Sequence, residues 1–315
     1  MAQKDWIEII EKFNTKDKEF ISNFLNSKDS FCPSENYLNI FNKENPYNNF
    51  NSENLKKPKP ANWIPIYKKE DLSNFLLKNN LMPIRSGAGE FFFYKGNIFF
   101  DLTKIKFKTI NSNQIKPIEE FVPLSLKVDF QRNENAFLNK ALALGIINHF
   151  VDRDDLKVLN KEIHNKNGTR LFYGQFGKIK TSFDLIFRTT KSCKIINSGF
   201  QFEIDLVLEN EDEIFIFEAK SSNQFTKNFS LLQLYYPLIY LQFITTYRKK
   251  IRTIFIDITT QDNQEVYRLV EIDFKRNNID DFKVLKKYKY EIKSKARYLL
   301  KEIIDEVEFE NKSSN

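Results

Sequence analysis

The chain has 315 residues, 41% of them hydrophobic, and a formal net charge of +7 from 49 Lys and Arg against 42 Asp and Glu. That length and apolar content predict a folded protein of one large domain or two ordinary ones. Two cysteines, Cys32 and Cys193, exclude a disulfide framework or a cysteine zinc site, and no apolar run approaches the ~18 residues that cross a bilayer, so the expected location is cytoplasmic with no membrane partner.

The opening "MAQKDWIEIIEKF" carries charges within its apolar run, which argues against a secretory leader and for an amphipathic helix over residues 6–20. The Asn-, Ser- and Pro-rich stretch "NKENPYNNFNSENLKKPKPANW" reads as a loop or arm. Next come a helix over 69–79, a turn at "RSGAG" and a hairpin "EFFFYKGNIFF" turning at Lys95-Gly96-Asn97. A helix followed by a basic-tipped hairpin suits a small winged-helix-like DNA reader and equally suits a structural α+β cap. The expected division is an N-terminal α+β region over 1–125 and a second domain over 126–315, joined through the proline-bearing "IKPIEEFVP".

In the second region, "NENAFLNKALALGIINHF" predicts one helix, with Phe137, Leu138, Ala141, Leu144 and Ile147 as an apolar stripe and Glu134 at its inward-facing start. Residues 163–196 mix strand-like runs with Arg170, Lys178, Lys180 and Arg188. Bases interleaved with aromatics suit a nucleic-acid face, and lysines protecting a solvated strand edge give the same pattern. Beyond residue 220 the pattern predicts a helix over 225–247 interrupted by Pro237, strands at "IRTIFIDI" and "VYRLVEIDF", and a basic C-terminal helical segment. The fold class is α/β (α+β), a mixed central sheet flanked by helices.

The segment "EIDLVLENEDEIFIFEAK" over 203–220 sets acids and a lysine at the ends of two apolar runs. Leu206, Val207 and Leu208, then Ile214, Phe215, Ile216 and Phe217, are apolar on both pleat faces, as central strands are, and "ENED" is a polar turn. A turn centred between Glu211 and Asp212 sets Asp205 opposite Glu218, Glu203 opposite Lys220 and Val207 opposite Ile216, all on one face. Carboxylates directly opposite one another repel, so a positive group belongs between them. Lys220 supplies part of that charge, and hard oxygen donors at one sheet end also suit Mg²⁺ completed by water and phosphate oxygens.

These residues resemble the PD-(D/E)XK nuclease superfamily, in which an Asp begins one strand and (D/E)-x-K ends the next: here Asp205 and Glu218-Ala219-Lys220. Ile204 stands where the Pro usually precedes the Asp. The longer pattern is similar to type II restriction-endonuclease-like proteins that carry Q-x-E-x-D, E-A-K and Q-L-Y-Y-P, onto which Gln201, Glu203, Gln233, Tyr235, Tyr236 and Pro237 fall. The match covers about 75 residues and hardly touches the first 130.

The resemblance implies a restriction-endonuclease-like core with Asp205, Glu218 and Lys220 catalytic. It places the metal on Asp205, Glu218 and the Ala219 carbonyl, with Glu134 on the first core helix as a further ligand. Gln201, Glu203 and Gln233 would support the site, with Glu203 alternatively an ion partner of Lys220 and Gln233 alternatively a core hydrogen-bonding group. The implied activity is Mg²⁺-dependent cleavage of double-stranded DNA, Mn²⁺ substituting, with Arg170, Lys178, Lys180 and Arg188 as candidate DNA contacts and a homodimer as a candidate arrangement. A repair, recombination or transposon-associated nuclease, or an inert DNA-binding module, would share the same core. His149 and His164 fit no paired motif, and no Walker A loop, Rossmann fingerprint or G-x-S-x-G elbow occurs, so no nucleotide cofactor is expected.

Overall fold

The computed structural model describes residues 80–85, 91–111, 134–152, 174–180, 184–190, 193–196, 201–210, 212–246, 248–261 and 264–293, with a few isolated positions before 116. The helix over 6–20, the Asn-rich arm, most of the helix over 69–79, Arg170, His164 and residues 294–315 lie outside the described residues.

The centre is a seven-stranded mixed sheet in the order β4-β13-β12-β11-β9-β8-β5. Its strands are β4 (Lys108–Ile110), β5 (Gly174–Lys180), β8 (Gln201–Glu209), β9 (Glu213–Ser222), β11 (Lys250–Gln261), β12 (Gln264–Phe274) and β13 (Phe282–Lys293). β9 and β11 run parallel, as do β13 and β4, and the remaining neighbours are antiparallel. The apolar runs of the sequence become central strands because both faces are covered. Phe215, Phe217 and Ala219 of β9 enter one core with α1 (Glu134–Ala143) and α2 (Ile146–Val151), while Ile214 and Ile216 enter the other with α3 (Leu232–Ile244).

Smaller strands complete the second layer. β1 (Leu81–Arg85) pairs with β2 (Phe91–Lys95), β6 (Leu185–Arg188) with β7 (Cys193–Ile196), and β3 (Phe99–Asp101) with β10 (Asn228–Ser230). The expected hairpin "EFFFYKGNIFF" is therefore absent. Gly96 N–H donates to Asn80 O, the Asn97 carboxamide accepts from Phe99 N–H, and Phe100 packs against Phe229 and Phe282 instead of returning along β2. Met82, Ile84, Tyr94 and Phe99 share a core with α3, and β4 joins β13, so described parts of 1–125 and 126–315 are built together.

Three further expectations change. The single helix over 133–150 is two, because Gly145 adopts φ 74°, ψ 10°, a left-handed conformation open to glycine. α3 runs through Pro237 with Tyr235, Tyr236 and Leu238 buried around it, so core packing offsets the missing N–H. Of the basic C-terminal stretch that the sequence reads as helical, the described part Phe282–Lys293 is strand β13: Lys287, Lys289, Glu291 and Lys293 alternate with Tyr288, Tyr290 and Ile292, and the ladder to β12 holds it, while 294–315 lies outside the described residues. Among the described residues no helix is long and apolar enough to cross a membrane.

Candidate active site at the end of strands β8 and β9

The expected register holds over 206–209, with pairing from Leu206↔Phe217 to Glu209↔Ile214 and Val207 opposite Ile216, and the ladder ends before the expected Asp205–Glu218 and Glu203–Lys220 pairs. The Asn210 carboxamide closes the turn by accepting from Asp212 and Glu213 N–H at 3.0 and 2.7 Å. Beyond Leu206 the Asp205 carboxylate takes over, accepting from Ala219 N–H at 2.8 Å, which ties the Asp to the E-A-K segment.

Alternation slips within β8, where the pairing with β5 shifts between Val207 and Ile204. Phe202, Ile204 and Val207 all face the α3 side, and Glu203 is turned out and exposed. The expectation that Glu203 shares the face of Asp205 and Glu218 is thus corrected; a bulge reverses facing by one residue. Lys220 forms its ion pairs with Glu218 and Glu134.

Glu218 and Lys220 lie two apart on β9, on the face of Ile214 and Ile216. Glu218 is 5% exposed. Its Oε1 accepts from Lys220 Nζ at 2.7 Å and from Gln233 Nε2 at 2.5 Å. Lys220 Nζ also donates to the Ala219 carbonyl at 2.9 Å and lies 3.5 Å from Glu134 Oε1. Gln233 is in the first turn of α3 and Glu134 opens α1, so helices from both faces of the sheet reach one strand end. Burial pushes the Glu218 carboxyl up to about 8, against the pull of Lys220 and with the help of Asp205 and Glu134. For Lys220 burial acts downward, but Glu218, Glu134 and Asp205 together raise its pKa, so it stays an ammonium.

Asp257 of β11 registers beside Lys220 and opposite Arg268 of β12. It is fully buried, accepting from Thr226 N–H at 3.1 Å and from Arg268 Nη1 at 2.9 Å. Arg268 in turn reaches Thr259 Oγ1 at 3.0 Å and lies 4.8 Å from the Phe225 ring centroid. This clamp pins the loop joining the E-A-K strand to β10 and the Gln233 helix. Sequence reasoning missed it, although an Asp within the apolar "IRTIFIDI" was its signal, since a buried charge needs a partner.

The other candidates separate. Lys180 pairs with Gln201 on the edge strand β5, and Lys178 precedes it by two, which puts both backbone positions one strand, about 5 Å, from the Asp205 end of β8. Arg188 is exposed on β6, its N–H donated to the Tyr235 hydroxyl and its carbonyl accepting from Ile279 N–H. That turn follows Phe274, six residues or about 20 Å along β12 from Arg268, so Arg188 belongs to the opposite end of the sheet. Tyr235 also donates to Asn277 O at 2.6 Å, giving this part of Q-L-Y-Y-P a structural task. His149, half-buried, shares a hydrogen bond with the Tyr290 hydroxyl at 2.9 Å and packs on Tyr288, a structural position.

Among the described residues no group of three or more His, Cys, Asp or Glu side chains is arranged to hold a metal ion. Oxygens of Glu218, Ala219 and Glu134 nevertheless gather around one cation, the Lys220 ammonium, and such hard donors fit Mg²⁺. A family model described as a domain of unknown function, DUF6997, matches residues 91–291. No curated protein and no solved structure matches the chain.

Proposed function

For this chain, which belongs to the DUF6997 family, we propose Mg²⁺-dependent endonucleolytic cleavage of double-stranded DNA, of the type II restriction class, on a restriction-endonuclease-like core. The observation that carries the reading is the convergence of Asp205, Glu218, Ala219 O and Lys220 at the end of two adjacent central strands. Asp205, Glu218 and the Ala219 carbonyl, with Glu134 behind them, would hold Mg²⁺ or Mn²⁺, which when bound neutralises charge on a phosphate and acidifies a water.

The protein groups have distinct tasks. Gln233 fixes the Glu218 carboxylate through Oε1, and the Ala219 N–H fixes Asp205, so both are preorganised. Lys220 is held protonated by its acidic neighbours. It therefore serves as a positive donor toward the charge that grows on a cleaved phosphodiester and as a holder of the attacking water, rather than as a base. Lys178 and Lys180, on the edge strand beside the site, suit contacts to the DNA backbone.

Incubating the protein with unmethylated phage DNA and Mg²⁺ and mapping the products tests this function. Discrete fragments with fixed ends support restriction; dispersed nicks or trimming from ends support a repair-type nuclease. Retention of intact DNA by the protein in Mg²⁺ would support the inert binding module and overturn the proposal.

A further inference from the structure

Lys220 is two residues beyond Glu218 on the same strand face, close enough for its stem to fold back onto the site. Its Nζ meets Glu218 Oε1 at 2.7 Å, Ala219 O at 2.9 Å and Glu134 Oε1 at 3.5 Å, which are the oxygens assigned above to a divalent cation. The Lys220 side chain is 32% exposed and that of Glu218 only 7%, so the carboxylate is fixed while the ammonium has a path to solvent. The acidic side chains of Asp205, Glu218 and Glu134 all act on this one ammonium. We propose that the Lys220 ammonium is the resident counter-ion of the metal-free site and competes with the divalent cation for the same oxygens.

The proposal rests on the metal-binding reading of the site and adds a consequence to it. Two cations drawn to the same carboxyl and carbonyl groups repel at these separations, so metal entry weakens the lysine's hold on Glu218 and Ala219 O. A lysine has three donors on a flexible stem and readily takes a new anionic partner. A phosphate beside the site offers one. Metal and DNA then favour each other, because each relieves what the other leaves unpaired, and by linkage the coupling is equal in both directions.

The test is Mn²⁺ binding, read by electron paramagnetic resonance with no turnover required, on the wild type, Lys220→Met and Glu218→Gln. Methionine keeps the stem's packing, and Lys220→Gln serves as the second variant should Lys220→Met fail to fold. Removal of the charge-assisted hydrogen bonds predicts Mn²⁺ binding about tenfold tighter or more in Lys220→Met. The gain is expected to persist at high salt, where through-space repulsion is screened. Adding an uncleaved DNA duplex should tighten Mn²⁺ binding to the wild type and do so much less for Lys220→Met. Wild type and Lys220→Met binding Mn²⁺ equally, with binding lost in Glu218→Gln, would overturn the competition and leave the metal site standing. Failure of every form to bind Mn²⁺ would remove the metal site itself and the proposal with it.

Discussion

Replacing Asp257 by Ala removes the buried acceptor of two half-buried donors at once. The carboxylate is 0% exposed and takes both Thr226 N–H and Arg268 Nη1. Breaking a buried ion pair by deleting one partner costs about 3–5 kcal/mol, chiefly through the charge left behind. Arg268 keeps its bond to Thr259 Oγ1, its place on Phe225 and a 17% exposed side chain, which puts the loss near the bottom of that range. The orphaned Thr226 N–H adds about 1 kcal/mol. The expected destabilisation is therefore about 3–4 kcal/mol, measured by urea unfolding in EDTA. Asp257→Asn retains an acceptor for Thr226 and should lose less. Combining Asp257→Ala with Arg268→Met should cost less than the two single changes added, because the uncompensated guanidinium is gone. A loss below about 1 kcal/mol for Asp257→Ala would refute the clamp.

Gln233→Leu leaves Glu218 with one anchor fewer and should weaken Mn²⁺ binding about tenfold or more at unchanged fold; equal affinity would make Gln233 a packing residue. Without metal, Glu218 keeps its proton to about 8 while an unfolded glutamate loses it near 4.5, so its contribution to stability is complete below 4.5 and drains away as pH rises to about 8. Glutamine does not titrate, and the stability of Glu218→Gln relative to wild type should climb through that window and then level; a constant difference from about pH 5 to 9 would show that Glu218 is not buried as described. Removing Lys178 and Lys180 together should flatten the log–log salt dependence of DNA binding by about 0.9 for each phosphate they neutralise. Arg188→Ala, at the far end of the sheet, should leave that slope unchanged, and the reverse pattern would move the DNA to that other end.

The site's scaffold was legible because β8 and β9 are central strands joined by a tight polar turn, so one centre fixed the pairing of 206–209 with 214–217. The facing of Glu203 was not, since it depends on a slip against β5, a strand distant in sequence with its own irregularities. Hairpin propensity at 91–100 and the helix-like charge of 282–293 misled for one reason. β3 and β13 are held by partners more than a hundred residues away or by an adjacent ladder, and neither leaves a local signature. Glu134 emerged from its place at the start of an apolar stripe, and the structure brings it within 3.5 Å of Lys220. The Asp257–Arg268 pair escaped because nothing in spacing tells which charge on one strand will face which on the next.

The most direct test of the proposed function is whether Asp205 belongs to a metal-dependent site that cuts DNA. Wild type and Asp205→Asn, both verified as folded, should be compared on unmethylated duplex DNA in Mg²⁺ and in excess EDTA, following binding and strand scission separately. Wild type should cut in Mg²⁺ and stop in EDTA, while Asp205→Asn should bind the duplex and leave it intact. Cleavage by Asp205→Asn at the wild-type rate, or undiminished wild-type cleavage in EDTA, would contradict the proposed function.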